Sequence, residues 1–240
     1  LYRYYYFIHI NMLENTTQSK SILKTQELSK SFISNVFSMM FVALGITAIT
    51  AYWFANSGLV YELTGITHWI VMLAPLGLVL FMGTKFTKLS AAVLMSIFIL
   101  FSVLMGMSLS YIFLAYDLGT ISSTFFITAG TFGTMAILGY TTGTDLTKFG
   151  GILYMALIGI ILASVVNWFM GSAQLDYIIS IAGVLIFTGL TAYDVQKIKR
   201  IGASTQEGET KQKLVIMGAL TLYLDFINLF LFILRIFGRD

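Results

Sequence analysis

The chain has 240 residues, of which 58% are hydrophobic and 10% charged, and its formal net charge is +3. Soluble domains average about 25% charged residues, so an ordinary water-soluble fold is excluded and the chain reads as a polytopic membrane protein whose first partner is the lipid bilayer. Cysteine is absent, which removes disulfides and thiolate metal sites; His9 and His68 stand far apart without a carboxylate at ligand spacing, so no zinc site or cofactor is expected. The basic balance reports loop charge in a membrane protein and implies no nucleic acid.

Residues 1–11, L-Y-R-Y-Y-Y-F-I-H-I-N, are too short to cross a bilayer and lack the cleavage pattern of a signal peptide. They read as translated upstream sequence with Met12 as the start, the alternative being an aromatic anchor at the membrane interface. Together with the polar, lysine-bearing stretch that follows, they make an N-terminal segment over 1–31. A membrane domain over 32–237 then carries seven apolar runs, at 32–54, 69–84, 91–115, 121–140, 149–170, 177–193 and 214–237. Several hold about 20 residues, the length that spans a ~30 Å hydrocarbon core. The expected fold is therefore all-α, a bundle of seven transmembrane helices with mostly short loops.

Charge orients the bundle. The loops at 55–68, 116–120 and 171–176 contain Glu62, Asp117 and Asp176 but no Lys or Arg, whereas Lys85, Lys88, Lys148, Lys197, Lys199, Arg200, Lys211 and Lys213 fall on the other side with the N-terminal lysines. Positive charge is retained in the cytoplasm, which places the N-terminus and a basic loop over 196–213 there. Seven spans send the C-terminus outside, next to Arg235 and Arg239; either the last helix dips without emerging, or two arginines sit at the outer interface. Gly130, Gly133 and Gly139 in the fourth run and Gly183 and Gly189 in the sixth are expected at helix contacts, since small residues let backbones approach in lipid. Asn167 is expected to hydrogen-bond between helices.

Asp225 lies inside the last apolar run, where a carboxylate costs ~2.5–3.5 kcal/mol on insertion scales. At 100° per residue, Gly218, Thr221, Asp225, Asn228 and Arg235 share one stripe, with Tyr223, Phe226, Phe230 and Ile233 elsewhere. The stripe is expected to face protein or water and the remainder lipid, in a core helix of the bundle. The sixth run ends F-T-G-L-T-A-Y-D-V-Q-K-I-K-R, and its Asp194 is the natural partner of Asp225. Two carboxyls within a few ångströms cannot both ionise cheaply, so such a pair would hold a proton. Depth is the obstacle: Asp225 lies about 16 Å along the helix from residue 214. The two meet only if the sixth helix continues through Lys197 or the seventh begins before the bilayer. The plainer readings are a solvated carboxylate balancing Lys197 and Lys199 for Asp194, a hydrogen-bonded structural group for Asp225, and a snorkelling cation for Lys85, whose alternative is a countercharge for the aspartates.

The segments F-T-G-L-T-A-Y-D-V-Q-K-I-K at 187–199, L-Y-L-D-F-I-N-L-F at 222–230 and G-Y-T-T-G-T-D-L-T-K-F-G at 139–150 together resemble the Bax inhibitor-1 family, also called the transmembrane Bax inhibitor motif family, over about 32–237. The resemblance implies a bacterial, non-enzymatic member with seven helices, the last of them central. It also implies a pH-responsive calcium leak in which Asp194 and Asp225 sense protons and touch the ion in passing. Lys85 matches the position of a basic residue that pairs with the sixth-helix aspartate, and Asn228 shares the Asp225 stripe. The absence of organellar targeting signals points to a bacterial inner membrane. Two other functions compete. A regulatory partner or inhibitor of a membrane-anchored protease would use the N-terminal segment as its handle; an intramembrane aspartyl protease would use the two aspartates, although G-x-G-D and Pro-Ala-Leu motifs are missing.

Overall fold

The apolar runs become helices because each backbone N–H and C=O in lipid must be satisfied within its own segment. The computed structural model describes residues 2–205 and 207–238, with side chains from Glu27 onward; the leader or anchor reading of 1–11 and most of the 12–31 segment read as a handle concern side chains outside the described residues. The elements are α1 (Tyr2–Asn56), a 3-10 turn (Leu59–Glu62), α2 (Ile66–Lys85), α3 (Ala91–Leu109), the one-turn α4 (Ile112–Ala115), α5 (Leu118–Thr141), α6 (Thr147–Met170), α7 (Ala173–Ser204) and α8 (Glu209–Phe237). Seven helices among the described residues are long and apolar enough to cross a membrane, α3 and α4 forming one span, and no strand occurs among them. The fold is all-α and the protein is an integral, multi-pass membrane protein.

Helix starts follow their caps. Ser90, Asp117 and Ser172 accept backbone N–H groups of Val93, Thr120 and Leu175 at the heads of α3, α5 and α7, satisfying donors a helix start leaves free. The Thr120 hydroxyl and N–H hold the exposed Asp117 carboxyl below its usual range. Asn167 corrects an expectation: its side chain accepts from Ser172 N at 3.1 Å and its carbonyl from Gly171 N. It closes the end of α6 locally and does not bridge helices.

The bundle is built around α8, which packs against α7, α1, α5 and α3. Of its most apolar stretch 67% is buried inside the protein, against 11% for α2 and for α6. Tyr223, Phe226, Phe230 and Ile233, expected toward lipid, are all buried. A helical wheel separates polar from apolar, but lipid tails and protein interior are equally apolar, so the wheel could not say which of the two covered that face. The less covered side is the polar one, where Thr221, Leu224 and Asn228 are only half-buried. On the covered side Tyr223 is fully buried, edge-on to Phe101 with ring centres 5.1 Å apart. Thr47 Oγ1 donates to Ser102 O at 2.9 Å, so the Tyr223 hydroxyl donates to Thr47 Oγ1 at 2.8 Å. This chain of bonds ties α8 to α1 and α3.

The segment 196–213, expected as a loop, is helical except for residues 205–208. No glycine or proline interrupts α7 between Asp194 and Gly202, while Val195 and Ile198 give the extension a buried face and Gly202 fits against the Phe32 ring. At its far end α8 runs the whole depth of the bundle: Arg235 Nη1 donates to Asp176 Oδ1 at 3.2 Å, next to the start of α7.

The glycines divide. An added Cβ at Gly139 would run into the Ala192 backbone, at Gly183 into the Phe232 ring and at Gly189 into Leu153, whereas at Gly130 and Gly133 it would meet nothing within 4 Å. Those last two are not contact glycines, contrary to the expectation from composition.

Candidate functional site

The extension of α7 and the early start of α8 remove the depth obstacle. Asp194 and Asp225 are 2% and 5% exposed, and their carboxyl groups lie within hydrogen-bonding reach of each other. A bond between two carboxyls needs a proton on one of them, because two carboxylates have only acceptors. Asp225 Oδ2 is buried with no protein donor, whereas Asp194 has the Tyr154 hydroxyl and the charge of Lys197, so Asp225 is the group placed to carry the shared proton and donate it to Asp194. The Tyr154 hydroxyl on α6 is 3.3 Å from both Asp194 oxygens. Lys197, one turn further along α7, is the cation whose charge acts on Asp194, and its ammonium lies 5.9 Å from the centre of the Tyr193 ring.

Around Asp194 the chain is tightly held. Gln196 Nε2 donates to Thr144 O at 2.8 Å and its Oε1 accepts from Leu146 N at 2.9 Å. Arg200 donates to Asp145 Oδ1 at 2.8 Å and to Thr147 Oγ1 at 3.0 Å, and Lys199 to Tyr140 O at 2.7 Å. Gly139 lies against the Ala192 backbone and Gly150 under the Tyr193 ring. The connection between α5 and α6 thus clamps the end of α7 and fixes the position of Asp194.

A cleft of about 650 Å³ leads to the pair. It is walled by Tyr154, Ile161 and Ser164 of α6, Phe187 and Leu190 of α7, and Thr221, Asn228 and Phe232 of α8. α6 packs chiefly against α7, which leaves the space between α6 and α8 unfilled. The two carboxyls and the Tyr154 hydroxyl offer at most five oxygens, and no group of three or more His, Cys, Asp or Glu gathers among the described residues. A calcium ion at the pair, which takes six to eight oxygens, would draw the rest from water.

The sequence model of the family described as "Inhibitor of apoptosis-promoting Bax1" matches residues 29–240. The chain belongs to the Bax inhibitor-1 family. Its bacterial relatives in that family include the inner membrane protein YbhL of Escherichia coli strain K12, 44% identical over 232 residues, covering 95% of this chain and 99% of that protein. A protein of Borreliella burgdorferi is 42% identical, covering 95% and 98%, and protein RP147 of Rickettsia prowazekii is 40% identical, covering 93% and 95%.

The three segments that carried the resemblance to the Bax inhibitor-1 family all converge on Asp194. Asn228 lines the cleft, with its amide donating to Leu224 O at 2.7 Å. Lys85 is not brought to the pair: it is exposed at the end of α2, which packs on α3, and it makes no ion pair with either aspartate among the described residues. The cation whose charge acts on Asp194 is Lys197 instead. Tyr154 was missed. Its signal was a lone phenol inside an apolar run, where a hydroxyl surrounded by lipid needs a protein partner, but nothing along the sequence names Asp194 as that partner.

Proposed function

We propose that the protein is a pH-gated cation leak of a bacterial inner membrane, with calcium as the passing ion and the Asp194/Asp225 pair as the gate. The observation that carries the reading is the contact of two buried carboxyls at a cleft between α6, α7 and α8, an expensive arrangement that usually marks an ion or proton pathway. Family membership and the name of the Escherichia coli relative support the membrane assignment. The lysine asymmetry supports a cytoplasmic N-terminus. The protein acts as a pathway and not as an enzyme.

In the closed state the pair shares a proton and α7 and α8 stay joined at Asp194 and Asp225. Loss of that proton leaves two like charges a few ångströms apart, which repel by about 4 kcal/mol at an effective dielectric of 20. That is enough to bias the contact between α7 and α8 toward opening, while the same negative charge attracts a cation. The test is reconstitution into liposomes with an internal calcium dye, read across a pH series for wild type, Asp225→Asn, Asp194→Asn and the double variant. Each single variant keeps the shape of the pair and loses its titration, so flux becomes insensitive to pH, and the double variant adds little because the two act as one unit. A wild-type pH profile in either single variant refutes the gate.

A further inference from the structure

A second cleft, of about 830 Å³, opens where α1, α3 and α8 meet at the lysine-rich end of the bundle. Its chemistry changes with depth. Ser31, Asn35, Ser38, Glu207, Lys211 and Gln212 surround the mouth, and Val42, Ile46, Met95, Phe98 and Ile99 line the floor. Ser31, Asn35, Ser38, Val42 and Ile46 recur every three or four residues, so a single stripe of α1 forms one wall. From residue 31 to residue 46 that stripe runs about 22 Å at helical rise, against about 15 Å for half of a ~30 Å hydrocarbon core. The groove therefore begins at headgroup level and continues one leaflet deep.

The mouth carries an unusual set of charges. Lys211 is buried and its ammonium donates to Glu207, whose own side chain is 72% exposed. A buried ammonium needs a counter-charge, yet this one is held by a carboxylate standing mostly in water, where an ion pair is weak and readily exchanged. One recessed cation is thus paired with one outward carboxylate. A purely anionic headgroup would satisfy Lys211 but meet the displaced Glu207; a phosphate carrying a primary ammonium complements both.

We propose that this cleft binds an ethanolamine glycerophospholipid. The phosphate replaces Glu207 on Lys211, the ammonium donates to the released Glu207, and one acyl chain follows the α1 stripe past Val42 to Ile46. A trimethylammonium headgroup has no N–H to donate, and a glycerol headgroup has no cation for Glu207, so both bind less tightly.

The test uses the full-length protein in mixed micelles holding equal amounts of phosphatidylethanolamine, phosphatidylcholine and phosphatidylglycerol, with retained lipid identified by native mass spectrometry. Wild type is expected to retain phosphatidylethanolamine over either competitor by about tenfold. Lys211→Gln loses retention of all three, Glu207→Gln keeps phospholipid but loses the preference for ethanolamine over choline, and Val42→Trp, which fills the floor from an exposed position, loses lipid altogether. Should Lys211→Gln fail to fold, the other two variants still decide. Equal retention of the three lipids, a preference for phosphatidylglycerol, or unchanged retention in Val42→Trp overturns the proposal.

Discussion

Gly139→Ala and Gly133→Ala are the same substitution six residues apart on α5, and the structure gives them opposite outcomes. At Gly139 the new Cβ falls 2.8 Å from both the carbonyl carbon and the Cα of Ala192, and closer still to its oxygen. Backbone has no rotamer with which to yield, so α5 and α7 must move apart by roughly 1 Å to restore ordinary contact at 3.5–4.0 Å. Overpacking of this kind costs about 1–3 kcal/mol, and the upper end applies where only a helix can shift. Alanine recovers about 1 kcal/mol of helix propensity, leaving a net loss of about 2 kcal/mol. At about 2–4 °C per kcal/mol for a chain of this size, the midpoint of thermal unfolding in detergent falls by about 4–8 °C. Gly133→Ala meets nothing within 4 Å and keeps the propensity gain, so its midpoint stays level or rises slightly. Thermal unfolding followed by size-exclusion fluorescence measures both. A Gly139→Ala protein as stable as wild type, or a Gly133→Ala protein equally destabilised, would refute the argument from contact geometry.

Tyr223→Phe removes the donor to Thr47 but keeps the ring among Phe98 and Phe101, so it costs about 0.6–1.7 kcal/mol, the range for interhelical hydrogen bonds in membranes, read as a fall in the same unfolding midpoint; no change would mean the bond contributes nothing. Lys85→Met leaves the pH profile of calcium flux in place, because Lys85 stands away from the aspartates, whereas Lys197→Met moves it; the reverse result would restore Lys85 as the countercharge. The Thr147 hydroxyl and N–H, with the Arg200 guanidinium, hold Asp145 well below the usual carboxylate range. A depressed carboxylate contributes its stability above its unfolded value near 4 and loses it only on further acidification. Asp145 is therefore ionised throughout pH 5–8, and Asp145→Asn leaves the shape of the flux profile over that window unchanged in the liposome assay.

Much of this protein was legible from the chain alone. A bilayer demands about 20 apolar residues per span and backbone bonds closed within each helix, so seven runs declared an all-α bundle. A carboxylate in such a run is costly enough to announce itself, which made Asp225 conspicuous and Asp194 its candidate partner. What the tertiary structure alone decided is depth, contact and coverage. Residues 194–204 are charged enough to read as loop, yet Val195, Ile198 and Gly202 pack the segment as helix, and that extension lets Asp194 reach Asp225. Tyr154 arrives from a separate helix and Lys85 stays outside. Gly133 and Gly139 look alike in sequence and differ only in whether a neighbouring backbone lies against them. The apolar side of α8 could not be assigned to lipid or protein in advance. Both media are equally apolar, so composition cannot tell them apart, and only the arrangement of neighbouring helices shows which one covers a given face.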